Sequence, residues 1–177
     1  MTPKKIVAIG PESTGKTMLC EALAKHFRAK WCPEYAREYL TRHGKEYKYD
    51  DLLWIAKGQV ELEEKTIRET VDEGLPLVFI DTDMYVMKVW SEFVFEKCHP
   101  FILRQVVERK YDLYLLCNTD LPWKPDALRE YPDLETREKL FRMYKDLMVN
   151  QDTEWVEIRG QDDERLSQAI GAVNLFL

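Results

Sequence analysis

An α/β fold with five parallel strands in one sheet and helices on both faces is predicted by three features of this 177-residue chain. Short apolar runs alternate with longer stretches of helical period, the pattern of strand–crossover–strand units. The first and third runs, KIVAI (5–9) and LVFID (77–81), are continuous rather than alternating, as strands covered on both faces require. The first run leads into GPESTGKT (10–17), a glycine-bracketed turn that opens a helix.

After KIVAI, residues 16–29 place Met18, Leu19, Ala22, Leu23 and Phe27 on one helical face. A short second strand in KWCPEYAR (30–37) is ended by Pro33, which cannot donate to a ladder. Asp50 and Asp51 are placed to cap a long helix running to about residue 72, with Leu52, Leu53, Ile55, Ala56, Val60, Ile67 and Val71 inward; Gly74 and Pro76 stop it. LVFID is the third strand. Two helical segments, 84–97 and 101–109, flank His99 and Pro100, and DLYLLC (112–117) is the fourth strand. The charged stretch NTDLPWKPDALREYPD (118–133) carries three prolines and reads as a loop or mobile lid. Residues 134–150 are helical. EWVEI (154–158) alternates and is therefore an edge strand. The last helix starts at Asp162 and turns Leu166, Ala169, Ile170, Val173 and Phe176 inward. No repeat or linker divides the chain, so residues 1–177 are read as one domain.

Composition narrows the function. With 45% hydrophobic and 33% charged residues the chain is that of a globular protein. A net charge of −6 gives no footprint for nucleic acid. No apolar run approaches the ~20 residues of a membrane span, and no cleavage site follows the N-terminal lysines, so a cytoplasmic location is expected. Cys20, Cys32, Cys98 and Cys117 form no C-x-x-C pair, and His26, His43 and His99 are scattered. Reduced thiols are expected, with no metal site among these residues.

GPESTGKT matches the phosphate-loop pattern G-x-x-x-x-G-K-[ST] in full. Gly10 and Gly15 let the backbone turn its N–H groups toward phosphate oxygens, across Glu12, Ser13 and Thr14. Lys16 reaches the β- and γ-phosphates, Thr17 ligates Mg²⁺, and the following helix adds its positive end. A buried strand before the motif and an amphipathic helix after it are the context that this mechanism needs. ATP and Mg²⁺ are therefore the expected cofactors, on a phosphate-loop NTPase sheet of strand order 2-3-1-4-5. DTDM (81–84) lacks the glycine of a GTPase D-x-x-G, and NTDL (118–121) lacks the lysine of N-K-x-D, so guanine specificity is disfavoured. Asp81, ending the third strand, is placed to hold the Mg²⁺ shell.

The acceptor is expected beyond the carboxyl ends of the strands. Three segments there combine carboxylate with aromatic ring, two of them with arginine as well: Glu34, Tyr35, Arg37 and Glu38 after strand two; Asp83, Tyr85 and Trp90 after strand three; Trp123, Lys124, Asp126 and Arg129 after strand four. Carboxylates can hold sugar hydroxyls or take a proton from the attacking one. Aromatic faces hold flat and cationic rings, and arginine stabilises charge on a transferring phosphoryl group. Arg129 is expected near the γ-phosphate when the lid closes. Side chains alternate along an extended segment, so Asp81 and Asp83 are expected to point the same way. Glu34 is favoured as the base and Asp83 as the holder of ribose hydroxyls, with the exchanged assignment open. Tyr85, Trp90 and Trp123 are the first candidates to stack on the acceptor ring, followed by Trp31 and Tyr35.

GPESTGKT, PEYAREYL, DTD with Tyr85 and Trp90, and LPWKPDALRE together resemble the ribosylnicotinamide kinase domain of the NadR family, over nearly the whole chain. The resemblance implies transfer of the ATP γ-phosphate to the 5′-hydroxyl of nicotinamide riboside. Full-length family members also carry a helix-turn-helix and an adenylyltransferase domain. No H-x-G-H motif occurs here, so neither DNA regulation nor adenylyl transfer is expected. The expected partner is a small nucleoside, with neither nucleic acid nor membrane; the residues leave oligomeric state open. Rival readings are a kinase for another small nucleoside or nucleotide, and a non-catalytic ATP-binding regulator.

Overall fold

The chain, described over residues 2–177 by a computed structural model (the side chain of Asp162 excepted), is organised around β1 (Lys4–Ile9). This strand pairs in parallel with β3 (Leu77–Asp81) on one side and β4 (Leu113–Cys117) on the other. β2 (Lys30–Cys32) lies beyond β3, and β5 (Trp155–Ile158) beyond β4, giving the order β2-β3-β1-β4-β5. The two strands that alternate or stop early are thus the edges. β3 and β4 are buried along their whole length, which is why their sequences carry no polar alternation.

Alternate side chains feed two apolar layers. Ile6, Ala8, Phe79 and Leu115 pack with Leu19, Leu23, Ala169 and Val173 from α1 (Lys16–Phe27) and α7 (Asp162–Asn174). Val7, Ile9, Ile80 and Leu116 pack with Val86, Val89, Leu140 and Met148 from α4 (Met84–Phe95) and α6 (Leu134–Val149). Met18, placed inward by its period, is instead 58% exposed, because α1 turns Cys20 and Ala24 to the sheet and leaves Met18 at the rim of the site.

Two further differences matter for the site. Residues after Pro33 continue as α2 (Tyr35–His43), whose buried side is only Ala36 and Leu40, too sparse a stripe to stand out in the sequence. In α3 (Tyr49–Asp72) the buried face beyond Ala56 is polar: Gln59, Glu63, Thr66 and Thr70, whereas Val71 is exposed. Polar partners explain this. Gln59 accepts from the Tyr35 N–H at 2.7 Å, and Glu63 pairs with Arg109 at 2.8 Å while accepting from the Tyr111 hydroxyl. Asp51 accepts from the Lys48 N–H at 2.7 Å at the start of α3. α5 (Pro100–Glu108) is capped by His99 Nδ1, which accepts from the Phe101 N–H. All four cysteines are free. Among the described residues no helix is long and apolar enough to cross a membrane, and no group of three or more Cys, His, Asp or Glu could hold a metal.

Candidate active site

β1 ends at Gly10 against β4: a Cβ on Gly10 would sit 2.6 Å from the Cys117 carbonyl oxygen, and the glycine holds φ +137°. Beyond it the chain passes through left-handed residues at Ser13 (φ 57°) and Gly15 (φ 79°). Such turns curl backbone N–H groups into a concavity suited to anions. Thr14, fully buried, ties the loop by donating Oγ1 to the Pro11 carbonyl at 2.7 Å. Lys16 reaches back across the loop and donates Nζ to the carbonyls of Gly10 (3.0 Å) and Pro11 (2.8 Å).

Thr17 donates Oγ1 to Asp81 Oδ2 at 2.5 Å. Asp81 is buried, which pushes its carboxyl up from the usual range, while Lys16 and the Thr17 hydroxyl oppose that shift. One hydroxyl and one carboxylate, side by side at the end of β3, form an oxygen donor set that fits Mg²⁺, which takes few protein ligands and completes its shell with phosphates and water.

A cavity of about 770 Å³ is lined by residues 10–18, by lid residues 127–131 and by the aromatic side chains of Tyr47, Trp90, Phe93, Phe95 and Tyr131. Glu34, Arg37 and Arg129 also line it. Glu34 is the N-cap residue of α2, but its side chain caps nothing. Burial raises its pKa, Asp81 adds to the shift, and Lys16 opposes it. In the aromatic cluster Trp90 donates Nε1 to the Tyr47 hydroxyl at 2.8 Å, and Tyr47 donates to Glu130 Oε2 at 2.9 Å. One chain of hydrogen bonds thereby joins α4, the α2–α3 loop and the lid.

The lid, residues 118–133, is irregular and rests on the phosphate loop. The Glu12 carboxylate accepts from the N–H groups of Glu130 (2.9 Å) and Tyr131 and, at 3.5 Å, from Trp123 Nε1. The Lys124 N–H donates to Ser13 Oγ at 3.0 Å. Arg129 donates to the Lys124 carbonyl at 2.5 Å, and Arg37 meets Asp126 at 3.2 Å.

Several sequence-selected residues lie elsewhere. Thr82 adopts φ +77°, so the segment from Asp81 to Asp83 is not extended and the two carboxylates do not share a direction. Asp83 caps α4, accepting from the N–H groups of Tyr85 (3.0 Å) and Val86 (3.3 Å), and its other oxygen accepts from the Tyr114 hydroxyl at 2.9 Å. Its residue is buried, and that burial pushes the carboxyl up to about 7. Tyr85 packs edge-on against Tyr114, Tyr35 against Gly58, and Trp123 points at Glu12. Of the aromatic candidates, Trp90 lines the cavity. The sequence reading missed Tyr47, Phe93, Phe95, Glu130 and Tyr131. Trp90 and Phe93 extend the i, i+3, i+4, i+7 stripe begun by Val86 and Val89, a signal available in the sequence but the same as that of ordinary core packing.

A phosphate cradle between strand and helix, a carboxylate at the end of the neighbouring strand and a lidded cavity beside them define a phosphate-loop, kinase-like protein. The chain belongs to the AAA domain family, whose sequence model matches residues 5–165. It is 27% identical over 175 residues to the trifunctional NAD biosynthesis/regulator protein NadR of Escherichia coli (strain K12), covering 96% of this chain and 42% of that protein. The corresponding NadR of Salmonella typhimurium is 27% identical over 163 residues, covering 90% and 39%. The chain thus spans about two fifths of the curated relatives it matches. A crystal structure of NadR in complex with NR aligns at TM-score 0.79 and 26% identity, over 97% of this chain and 49% of that one. NadR in complex with NAD and AMP-PNP aligns at 0.74 and 27%, with the same coverage. Thymidylate kinase from Ehrlichia chaffeensis, at TM-score 0.72 and 13% identity over 98% of this chain and 100% of that one, shares the fold.

Proposed function

We propose that this chain, acting as a single kinase domain, transfers the γ-phosphoryl group of ATP to the 5′-hydroxyl of nicotinamide riboside, giving nicotinamide mononucleotide and ADP. The carrying observation is one continuous cavity whose lining combines the phosphate loop, Glu34 and an aromatic cluster. The likeness to NadR, solved with NR and with AMP-PNP, supports the same acceptor and donor. Loop N–H groups and Lys16 hold the β- and γ-phosphates, and Arg129 faces the same space. Thr17 and Asp81 would hold Mg²⁺, which neutralises phosphate charge when bound. Glu34 orients the 5′-hydroxyl and accepts its proton, a task for which a raised pKa suits it. Trp90 offers its face to the cationic pyridinium ring. The ribose-holding role read for Asp83 does not fit a carboxylate whose oxygens are committed to α4 and Tyr114; it holds α4, and Trp90 with it, in place. Arg37, braced by Asp126, takes that position at the cavity wall.

The test is ADP release by the purified chain with ATP and Mg²⁺ across a nucleoside panel, with Lys16→Ala as the blank. Nicotinamide riboside is expected to give the highest kcat/KM, and Lys16→Ala to lose it while staying folded. Turnover confined to another nucleoside would overturn the acceptor, and turnover in Lys16→Ala would overturn the mechanism.

A further inference from the structure

Two buried arginines grip the phosphate loop from behind. Arg137, in the first turn of α6, donates Nη2 to the carbonyls of Ser13 and Leu121 at 3.2 Å each. Arg165, near the start of α7, donates Nη1 to the Thr14 carbonyl at 2.9 Å, Nη2 to the Asn118 carbonyl at 2.8 Å and Nε to the Gly160 carbonyl at 2.8 Å. The two residues are 3% and 4% exposed.

The carbonyl and the following N–H of a planar trans peptide point in opposite directions. Turning the Ser13 and Thr14 carbonyls outward to arginines therefore turns the Thr14 and Gly15 N–H groups inward, toward the cradle. Neither of those N–H groups has an acceptor among the described residues. Ser13 holds this orientation in a left-handed conformation that a non-glycine residue adopts only when its surroundings impose it.

The two arginines differ in charge balance. Arg165 is paired with Asp120. Arg137 is bonded to carbonyls, and its Nε is buried with no partner. Burial works against its charge, the field of the Glu12 carboxylate supports it and Arg129 opposes it, and no carboxylate is hydrogen-bonded to it among the described residues. A buried cation left this way is costly unless an anion arrives.

We propose that Arg137 and Arg165 are positioning residues for nucleotide binding: they aim the Thr14 and Gly15 N–H groups at the phosphates, and Arg137 adds a positive charge without an ion-pair partner behind them. The ligand class is a polyphosphate, the triphosphate end of a nucleotide. The proposal rests on the phosphate-loop part of the reading above and is independent of the acceptor.

It is tested by titrating the full chain with inorganic tripolyphosphate and with Mg-ADP, and by following the Thr14 and Gly15 amide resonances. Arg137→Gln is expected to weaken tripolyphosphate by about tenfold or more, the worth of a charged hydrogen bond. Its ligand-free melting temperature should stay close to wild type, since a buried unpaired charge is removed. Arg137→Lys should recover part of the affinity, restoring the charge but not the fork. In both variants the Thr14 and Gly15 amide resonances should move before ligand is added. Tripolyphosphate affinity within twofold of wild type in Arg137→Gln, with the amides unmoved, overturns the proposal. If Arg137→Gln fails to fold, Arg137→Lys and Arg165→Lys decide, and unchanged affinity in both overturns it. A wild-type chain that binds neither probe overturns the phosphate-loop reading together with this one. Binding of both probes with no turnover of nicotinamide riboside leaves this proposal standing and overturns only the acceptor.

Discussion

Replacing Glu12 by alanine should release the lid without unfolding the protein. Glu12 belongs to the phosphate loop, yet its carboxylate accepts from the N–H groups of Glu130 and Tyr131 on the lid. The contact with Trp123 Nε1, at 3.5 Å, lies at the limit of a hydrogen bond and is counted as nothing. A hydrogen bond to a charged group contributes ~1.5–3 kcal/mol, and this half-buried site belongs at the lower end, so two bonds give about 3 kcal/mol. At a factor of ten per ~1.4 kcal/mol, the open lid should become about 100-fold more populated. Amide hydrogen exchange reads this directly: the Glu130 and Tyr131 N–H groups should exchange about 100-fold faster in Glu12→Ala, with β1, β3 and β4 unchanged. Glu12→Gln, which keeps one good acceptor, should fall between. If the two lid amides exchange at the wild-type rate in Glu12→Ala, Glu12 does not hold the lid, and the interpretation of the phosphate loop as its latch is wrong.

Glu34→Gln should lower kcat by ~10²–10⁴-fold with little change in acceptor KM, the signature of a base that acts in the transition state; a raised KM at normal kcat would make Glu34 a binding residue instead. Trp90→Ala should cost ~1–3 kcal/mol in acceptor affinity, as loss of a stacking face does, whereas Trp123→Phe should leave acceptor KM alone; steady-state kinetics of the two variants separate the aromatic wall from the lid support. Glu157 provides a pH prediction. Burial would raise its pKa, but Arg159, Asn118 and Lys145 prevail and hold it at about 2. A lowered carboxylate pKa contributes stability above the unfolded value that disappears as pH falls through the folded one. Urea unfolding should therefore show the wild type losing up to about 3 kcal/mol between pH 5 and pH 2 from this group, and Glu157→Gln should lack that part of the acid limb.

The strand–helix alternation, the order of the sheet and the phosphate loop were all legible in the sequence because each is a local signal. Short apolar runs without polar alternation, bounded by turn residues, mark strands of a covered sheet, and a strand before GPESTGKT with a helix after it is the context a phosphate loop needs. Glu34 was legible too, since Pro33 ends β2 and leaves the next side chain at the sheet's carboxyl edge. What tertiary structure decided is which polar and aromatic side chains face the cavity. Asp83 reads in the sequence as a holder of ribose hydroxyls or a base beside Asp81, but the left-handed turn at Thr82 places it at the head of α4, a change of direction that no periodicity announces. Trp123 and Trp90 carry the same ring, but one reaches down to Glu12 and the other stands in the cavity wall, because the lid folds back onto the phosphate loop. The buried face of α3 is polar for the same kind of reason: Gln59 and Glu63 are inside because Pro33, Tyr35, Arg109 and Tyr111 come from distant parts of the chain to meet them. Arg137 and Arg165 lie more than a hundred residues from the loop they hold. A carbonyl has no side chain to mark it in a sequence, so the partners that aim the phosphate loop become visible only when the chain is folded.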